Sequence, residues 1–374
     1  MKFLSQANIK GKIVLLRSDL NSEIKKRKVI LGERIKESVK TVKFLKAKKA
    51  KIVIIAHQGQ QGKNDFISLK QHAELLNKYT KIKFIKDVCG KKAKNAISKL
   101  KSGEAILLEN LRFNKNEANP SANNNLLALT KLADIYINDA FSVCHRNHTS
   151  IVLFPKYLPS YAGLLLEKEI KSLNNIKLEN TLFILGGAKP KDYSSLFTCK
   201  NIIACGLFGQ SILVAKGKNL GVQNEYLEKE ADLDSELKEQ LRKIEAKTPI
   251  DFAVKVNGKR KELWIEEFPS RHEIFDIGQK SINLFVSEIK KAKSIFMKGP
   301  AGDFSSKGFE KGTFEILKAI AKSRAFSVLG GGHLNNAIDK AKINKSKFNH
   351  MSLSGGALIK YISGEKLPGI EALG

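Results

Sequence analysis

The sequence predicts an α/β protein of two lobes, each a parallel sheet flanked by helices. Three observations predict it. Short runs that are apolar almost throughout alternate with amphipathic helical stretches, as strands covered on both faces and their crossover helices require. The alternation occurs in two sets along the 374 residues, a length that suits two domains. Between the sets lies one helical stretch, AGLLLEKEIKSLN, that reads as a connector.

In the first half the expected strands are Lys12–Arg17, Lys51–Ala56, Ile82–Ile85, Ala105–Leu108 and Ile135–Ile137. In the second they are Thr181–Leu185, Asn201–Cys205, Ser294–Met297 and Ala325–Leu329. Helical spacing of apolar residues marks Glu33–Lys49, Leu69–Lys78, Lys91–Lys99, Ile282–Lys291 and Phe309–Lys322. The acidic stretch Glu225–Glu245 reads as an exposed helix. The divisions follow: a first domain over 1–161, a connecting helix over 162–178, a second domain over 179–355 and a closing segment over 356–374.

Composition narrows the class. Apolar residues make up 42% and charged residues 28%, which excludes a mostly disordered chain. No apolar run approaches the roughly 20 residues that span a bilayer, and the N-terminus turns polar too early for a secretory signal. The four cysteines form no CxxC pair, so a reduced cytoplasmic setting is expected. The net charge is +29, carried by 57 Lys and only 9 Arg. Basic runs such as Lys25-Lys26-Arg27-Lys28 and Lys259-Arg260-Lys261 are scattered at polar positions. They read as solvated surface, with a nucleic-acid-binding face as the lesser alternative. Against so much lysine, an arginine points to a place that needs the bidentate fork: Arg17, Arg34, Arg112 and Arg146.

Ligands of open α/β sheets bind beyond the carboxyl ends of the strands. In the first half those ends are polar and charged: Arg17-Ser18-Asp19-Leu20-Asn21, His57-Gln58-Gly59, Glu109-Asn110-Leu111-Arg112, and Asn138-Asp139 followed by His145-Arg146-Asn147-His148, with Arg34 opening the first helix. Convergent Arg and His with a few Asp and Asn suit a small, highly anionic, hydroxylated ligand. In the second half the ends are glycine-rich: Gly186-Gly187-Ala188-Lys189, Gly206, Gly299-Pro300-Ala301-Gly302 and Gly330-Gly331-Gly332. Such ends let backbone approach a nucleotide, and helix N-termini favour phosphate. None is a Walker or GxGxxG motif. One lobe for a small anion and one for a nucleotide suggest phosphoryl transfer across a cleft closed by hinge motion.

At these residues the chain resembles phosphoglycerate kinases, in their archaeal branch. The resemblance rests on RSDLN (17–21), ERI (33–35), AHQG (56–59), LLENLRF (107–113), INDAF (137–141), AGLLLEKE (162–169), LGGAK (185–189), KGPAGDF (298–304), LGGGH (329–333) and SGGALIKYISGEKLPGIEAL (354–373). It implies two Rossmann-like lobes joined by a hinge helix, with the last residues returning to the first lobe. It also implies a phosphotransferase with a carboxyl acceptor, exchanging a phosphoryl group between 1,3-bisphosphoglycerate and ADP to give 3-phosphoglycerate and ATP, with Mg2+, in a monomer or homodimer. On the matching positions, Asp19, Asn21, Arg34, His57, Gln60, Arg112 and Arg146 are expected to hold the triose acid. Arg34 and Lys189 are expected to stabilise the transferring group. Gly187, Lys189, Gly206, Lys298, Gly299, Pro300, Ser305, Gly330, Gly331, Gly332, His333, Gly355 and Gly356 are expected to line the nucleotide. The resemblance leaves the metal ligands unassigned.

The chain also departs from the family pattern. Gln60 stands at the place of a substrate arginine, and Tyr193 where many members carry a second phosphate lysine, with Lys191 as a possible substitute. Lys298 replaces an asparagine, Ser305 a glutamate, His333 an aspartate and Ser354 a threonine. These changes fall mostly on the nucleotide side. They motivate an alternative, a degenerate homologue that binds without efficient turnover.

Overall fold

A computed structural model describes residues 1–374. The chain divides into two compact units, residues 1–171 with 365–374, and residues 172–364.

The first unit is built on a six-stranded sheet in the order Lys83–Ile85, Ala105–Leu108, Lys51–Ile55, Ile13–Ser18, Ile135–Asp139, Ser160–Ala162. Every pairing is parallel. The apolar runs have the expected cause. Val14, Leu16, Ile52 and Ile54 enter one core with the helix Glu33–Ala47, while the alternate residues Leu15, Val53 and Ile55, on the opposite face, are equally buried. That helix starts after Gly32 and buries Ile35, Val39, Val42 and Leu45 along one stripe. Each full burial contributes roughly 1.5–3 kcal/mol, so a charge at Val42 would break the stripe. The closing residues 365–374 pack on this unit: Leu367 and Leu373 are buried, and the Gly369 N–H donates to the Cys144 carbonyl at 2.8 Å. Residues 356–364 belong to the second unit.

The helix Leu164–Leu173 leaves the first unit. Its start is held by Asp139 at the end of the strand Ile135–Asp139, whose Oδ1 accepts the N–H groups of Leu165 at 2.8 Å and Leu166 at 3.3 Å. Burial raises the Asp139 carboxyl to about 6.

The second unit also carries a six-stranded parallel sheet, in the order Ala246–Lys247, Ile202–Ala204, Thr181–Leu185, Ser294–Lys298, Phe326–Gly330, His350–Ser352. The alternation of strands and helices therefore gives two parallel sheets flanked by helices, as the sequence predicts.

The sequence reading does not name the edge strands Ser160–Ala162, Ala246–Lys247 and His350–Ser352, and two further features differ from it. The stretch Glu225–Glu245 is not one helix but two, Val222–Glu230 and Ser235–Arg242. Asp232 turns the chain with φ +50, and the Asp234 side chain caps the second helix by accepting the Leu237 N–H at 2.8 Å. There is also a three-stranded antiparallel sheet in which Asp251–Val256 lies between Lys259–Trp264 and Ile274–Ile277. Its hairpin turns at Asn257-Gly258, both with positive φ, the strongest short-range hairpin signal a sequence offers.

Candidate active site

In the first unit the candidate residues meet at the carboxyl ends of neighbouring strands. Asp19 follows the strand Ile13–Ser18, and Arg34 lies in the first turn of the helix Glu33–Ala47. Asp19 Oδ2 lies 3.3 Å from Arg34 Nε and accepts the Ser142 hydroxyl at 2.6 Å. Arg34 Nη1 donates to the Asn21 carbonyl at 3.1 Å. Asn21 in turn accepts the Gly59 N–H at 2.9 Å, and the Gly59 carbonyl accepts from Arg112. Asp19, Asn21, Arg34 and Arg112 are thus linked through backbone groups of neighbouring loops. Gly59 has to be glycine: its φ is +66, and a Cβ would stand 2.2 Å from the Asp65 carbonyl oxygen.

His57 sits behind this linkage and is buried. Burial first, then the charges of Arg17, Arg112 and Arg34, hold its pKa well below the usual histidine range. Burial, then the charges of Arg17, Arg112 and Arg146, lower His148 to about 4. Two candidates stand apart. Gln60 is exposed, its backbone N–H 3.4 Å from Asp65 Oδ1 and its carbonyl accepting the Lys63 N–H at 2.9 Å. Arg146 is exposed as well, and its charge is felt at Arg112 and His148.

Sequence reasoning left three supporting residues without a role here. Arg17 is fully buried, donating Nε to Ser150 Oγ at 3.0 Å and Nη1 to the Ser18 carbonyl at 2.7 Å. The Ser150 hydroxyl passes the contact on to Glu117 Oε1 at 2.6 Å. Glu117 is buried, which raises its pKa. Arg17 was marked by its rarity among lysines. Glu117 and Ser150 carry no local signal, because they stand 33 positions apart with the strand Ile135–Asp139 and several short helices between them.

In the second unit the glycine-rich turns follow adjacent strands and interlock through backbone. The Gly187 N–H donates to the Pro300 carbonyl at 2.8 Å, and the Gly206 N–H to the Ala301 carbonyl at 2.9 Å. A Cβ on Gly206 (φ +57) would stand 2.6 Å from Gly187 N, and one on Gly299 (φ +81) 2.2 Å from the Gly186 oxygen. Gly187, Gly206, Gly299 and Pro300 therefore form one tight assembly. On the adjoining strands the helices Gly332–Lys340 and Gly356–Ile362 start beyond Gly330-Gly331 and Gly355. Their first N–H groups have no helical partner and suit anions. At Gly331, Gly332 and Gly355 a Cβ would meet nothing within 4 Å, so their space is open. His333, on the first turn of Gly332–Lys340, is exposed. Ser305 is exposed, its N–H held by Asp303 Oδ1 at 3.0 Å.

Lys189 is exposed beside this assembly. Lys298 closes the central strand and is nearly buried. Tyr193 is buried and points its hydroxyl at the carbonyls of Gly186, 2.5 Å away, and Lys298, 3.0 Å away. Lys191 turns outward to an exposed ion pair with Asp234 at 2.7 Å, which raises its pKa. The chain offers no cluster of three His, Cys, Asp or Glu side chains to a metal ion. The strand ends present lysines and backbone N–H groups, which suit phosphate oxygens. No helix is long and apolar enough to cross a membrane.

Comparison with known proteins agrees with this architecture. The family model described as phosphoglycerate kinase matches residues 4–365. Curated phosphoglycerate kinases resemble the chain along nearly their whole length. That of Methanopyrus kandleri is 36% identical over 390 residues, covering 97% of this chain and 95% of that protein. That of Sulfurisphaera tokodaii is 38% identical, covering 98% and 94%. The crystal structure of phosphoglycerate kinase from Pyrococcus horikoshii OT3 superposes with a TM-score of 0.90 at 34% identity, over 100% of this chain and 98% of that one. The phosphoglycerate kinase structure from Coxiella burnetii gives 0.80 at 28% identity. With the family pattern matched across both units, the chain belongs to the phosphoglycerate kinase family.

Proposed function

We propose that the chain catalyses the reversible transfer of a phosphoryl group between 1,3-bisphosphoglycerate and ADP, giving 3-phosphoglycerate and ATP. The observation that carries the reading is the arginine set of the first unit. Arg34 and Arg112 are oriented by Asp19, Asn21 and Gly59 around a buried, neutral His57. Cations outnumber carboxylates there, and their forks are already held, so little ordering is left to do when an anion binds. The triose acid takes Asp19, Asn21, Arg34, His57, Arg112 and Arg146 as its partners, with Asp19 and Asn21 suited to its hydroxyl.

The second unit takes the nucleotide along the glycine-rich strand ends, its phosphates meeting the helix N-termini and the two lysines. An acyl phosphate is already activated, so the reaction needs no strong base. It needs charge neutralised on the oxygens of a loose, highly anionic transition state. Arg34 supplies this from the triose side and Lys189 from the nucleotide side. The donor set at the strand ends fits phosphate and not a free cation, so Mg2+ would arrive with the nucleotide and would supply further charge neutralisation there. Four free thiols support a cytoplasmic location. Nothing in the fold or the comparisons favours a homologue that has lost turnover.

Steady-state turnover of 3-phosphoglycerate with Mg-ATP, coupled to reduction of the acyl phosphate formed, tests the reading. Turnover on the order of 10 s⁻¹ is expected, with Lys189→Ala lowering kcat by about 10²-fold or more and leaving 3-phosphoglycerate affinity unchanged. A folded protein that binds 3-phosphoglycerate but turns nothing over would refute it.

A further inference from the structure

Lys298 ends the central strand of the second sheet and is only 9% exposed. An ammonium so far out of water must be met by an anion or an equivalent acceptor. It has two such neighbours. The ring of Tyr193 lies with its centroid 4.8 Å from Nζ, and Asp192 Oδ2 lies 3.5 Å away. The ring is immobilised, since the Tyr193 hydroxyl bonds to carbonyls of both strand ends. The carboxylate is not: the Asp192 side chain is 51% exposed, and its contact is at the long limit of a hydrogen bond. Lys189 stands close enough to be felt. Burial, with a contribution from Lys189, holds the Lys298 ammonium below the usual lysine range despite Asp192. The cradle is thus firm on its aromatic side and loose on its anionic side, next to strand ends with open space beyond them.

We propose that Asp192 serves Lys298 as a stand-in for a phosphate oxygen, and that a nucleoside diphosphate displaces it, so that Lys298 on its Tyr193 shelf is the second phosphate-binding lysine of this chain. The inference rests on the nucleotide reading of the second unit and adds an exchange to it. Lys298 trades a half-solvated carboxylate for a doubly charged phosphate without moving its own stem. The step is an exchange of ion partners, with no bond made or broken.

The test is calorimetric titration of ADP at fixed ionic strength into the full chain, Lys298→Met, Asp192→Asn and the double variant, each first checked for native melting. Losing Lys298 should weaken ADP about tenfold, the worth of one charge-assisted contact. Losing Asp192 should tighten ADP about threefold, because nothing then has to be displaced. That gain should vanish in the Lys298→Met background. Tyr193→Phe, which keeps the ring face but releases it from the two carbonyls, should weaken ADP less than Tyr193→Leu, which should weaken it as Lys298→Met does, with the KM for 3-phosphoglycerate unmoved. Should Lys298→Met fail to fold, Lys298→Gln replaces it. An unchanged ADP affinity in Asp192→Asn overturns the exchange on its own, as does an equal gain in both backgrounds. If Lys298→Met binds ADP normally while Lys189→Ala does not, the proposal falls and the nucleotide reading stands. If the unaltered chain binds no ADP, both fall.

Discussion

Arg17 Nη2 stands 3.1 Å from His57 Nδ1, and both side chains are buried. A guanidinium can only donate, so Nδ1 accepts and the ring proton sits on Nε2. The pair makes His57 a fixed N–H donor and removes it as an acid or a base. In an imidazole 15N spectrum, His57 is expected as the neutral Nε2–H tautomer across about pH 6 to 8. A titration near the free histidine value would show that Arg17 does not control it.

The buried Asp139 makes a signed prediction about pH. Its folded pKa of about 6 stands above the ordinary aspartate value of 3.8. The folded state therefore takes up a proton that the unfolded chain does not yet hold. This contribution to stability is fully present below the unfolded pKa and lost as pH rises through 6. Asp139→Asn keeps an oxygen for Leu165 and Leu166 but carries no charge. Its melting temperature, relative to the parent, should be highest above pH 6 and drop on acidification toward pH 4. The swing is on the order of 3 kcal/mol. A difference that does not vary with pH would mean that Asp139 titrates normally.

Gln60 is exposed where the family pattern has an arginine, next to the Gly59 carbonyl that holds Arg112. Gln60→Arg adds a fork at the rim of the arginine set. It should tighten 3-phosphoglycerate by about threefold to tenfold, less than a buried contact because water screens it. Calorimetry that shows no gain would mean Arg146 or another cation already fills that corner.

Two glycines separate packing from binding. Gly206→Ala puts a methyl against Gly187 N in a left-handed conformation and should cost about 3 kcal/mol in thermal or denaturant unfolding. At Gly332 nothing lies within reach and φ is ordinary. Gly332→Ala should melt like the parent yet bind ADP several-fold more weakly, because the open space there is what the phosphates need. Unaltered ADP affinity in Gly332→Ala would place the phosphates elsewhere.

The parallel sheets were legible because burial on both faces removes polar residues from their strands. The run expected at Lys12–Arg17 is the strand Ile13–Ser18, and those at Ala105–Leu108 and Thr181–Leu185 match end for end. The antiparallel sheet was hidden by its outer strand Lys259–Trp264. Mostly exposed and rich in lysine, that strand reads as a surface basic run. Within it Arg260 is in fact shielded and bonds Asp276 at 2.8 Å, a partner no local pattern reveals. At the candidate site, the residues that follow strands could be named because chain order puts them there. What joins them could not. The bond from Gly59 to Asn21 spans 38 residues, and only the assembled sheet brings the two loops together.

The placement of residues 365–374 also bears on how the protein is made. The first unit combines residues 1–171 with 365–374, so synthesis of the second unit falls between its two parts. Its sheet can assemble early, but Leu367, Gly369 and Leu373 arrive only after the whole second unit has been synthesised. Until then the ground around Cys144 and Ile151, against which Gly369 packs, stays uncovered. Residues 365–374 thus complete a unit begun before the second one, and a nascent chain stalled anywhere in the second unit leaves the first one unsealed.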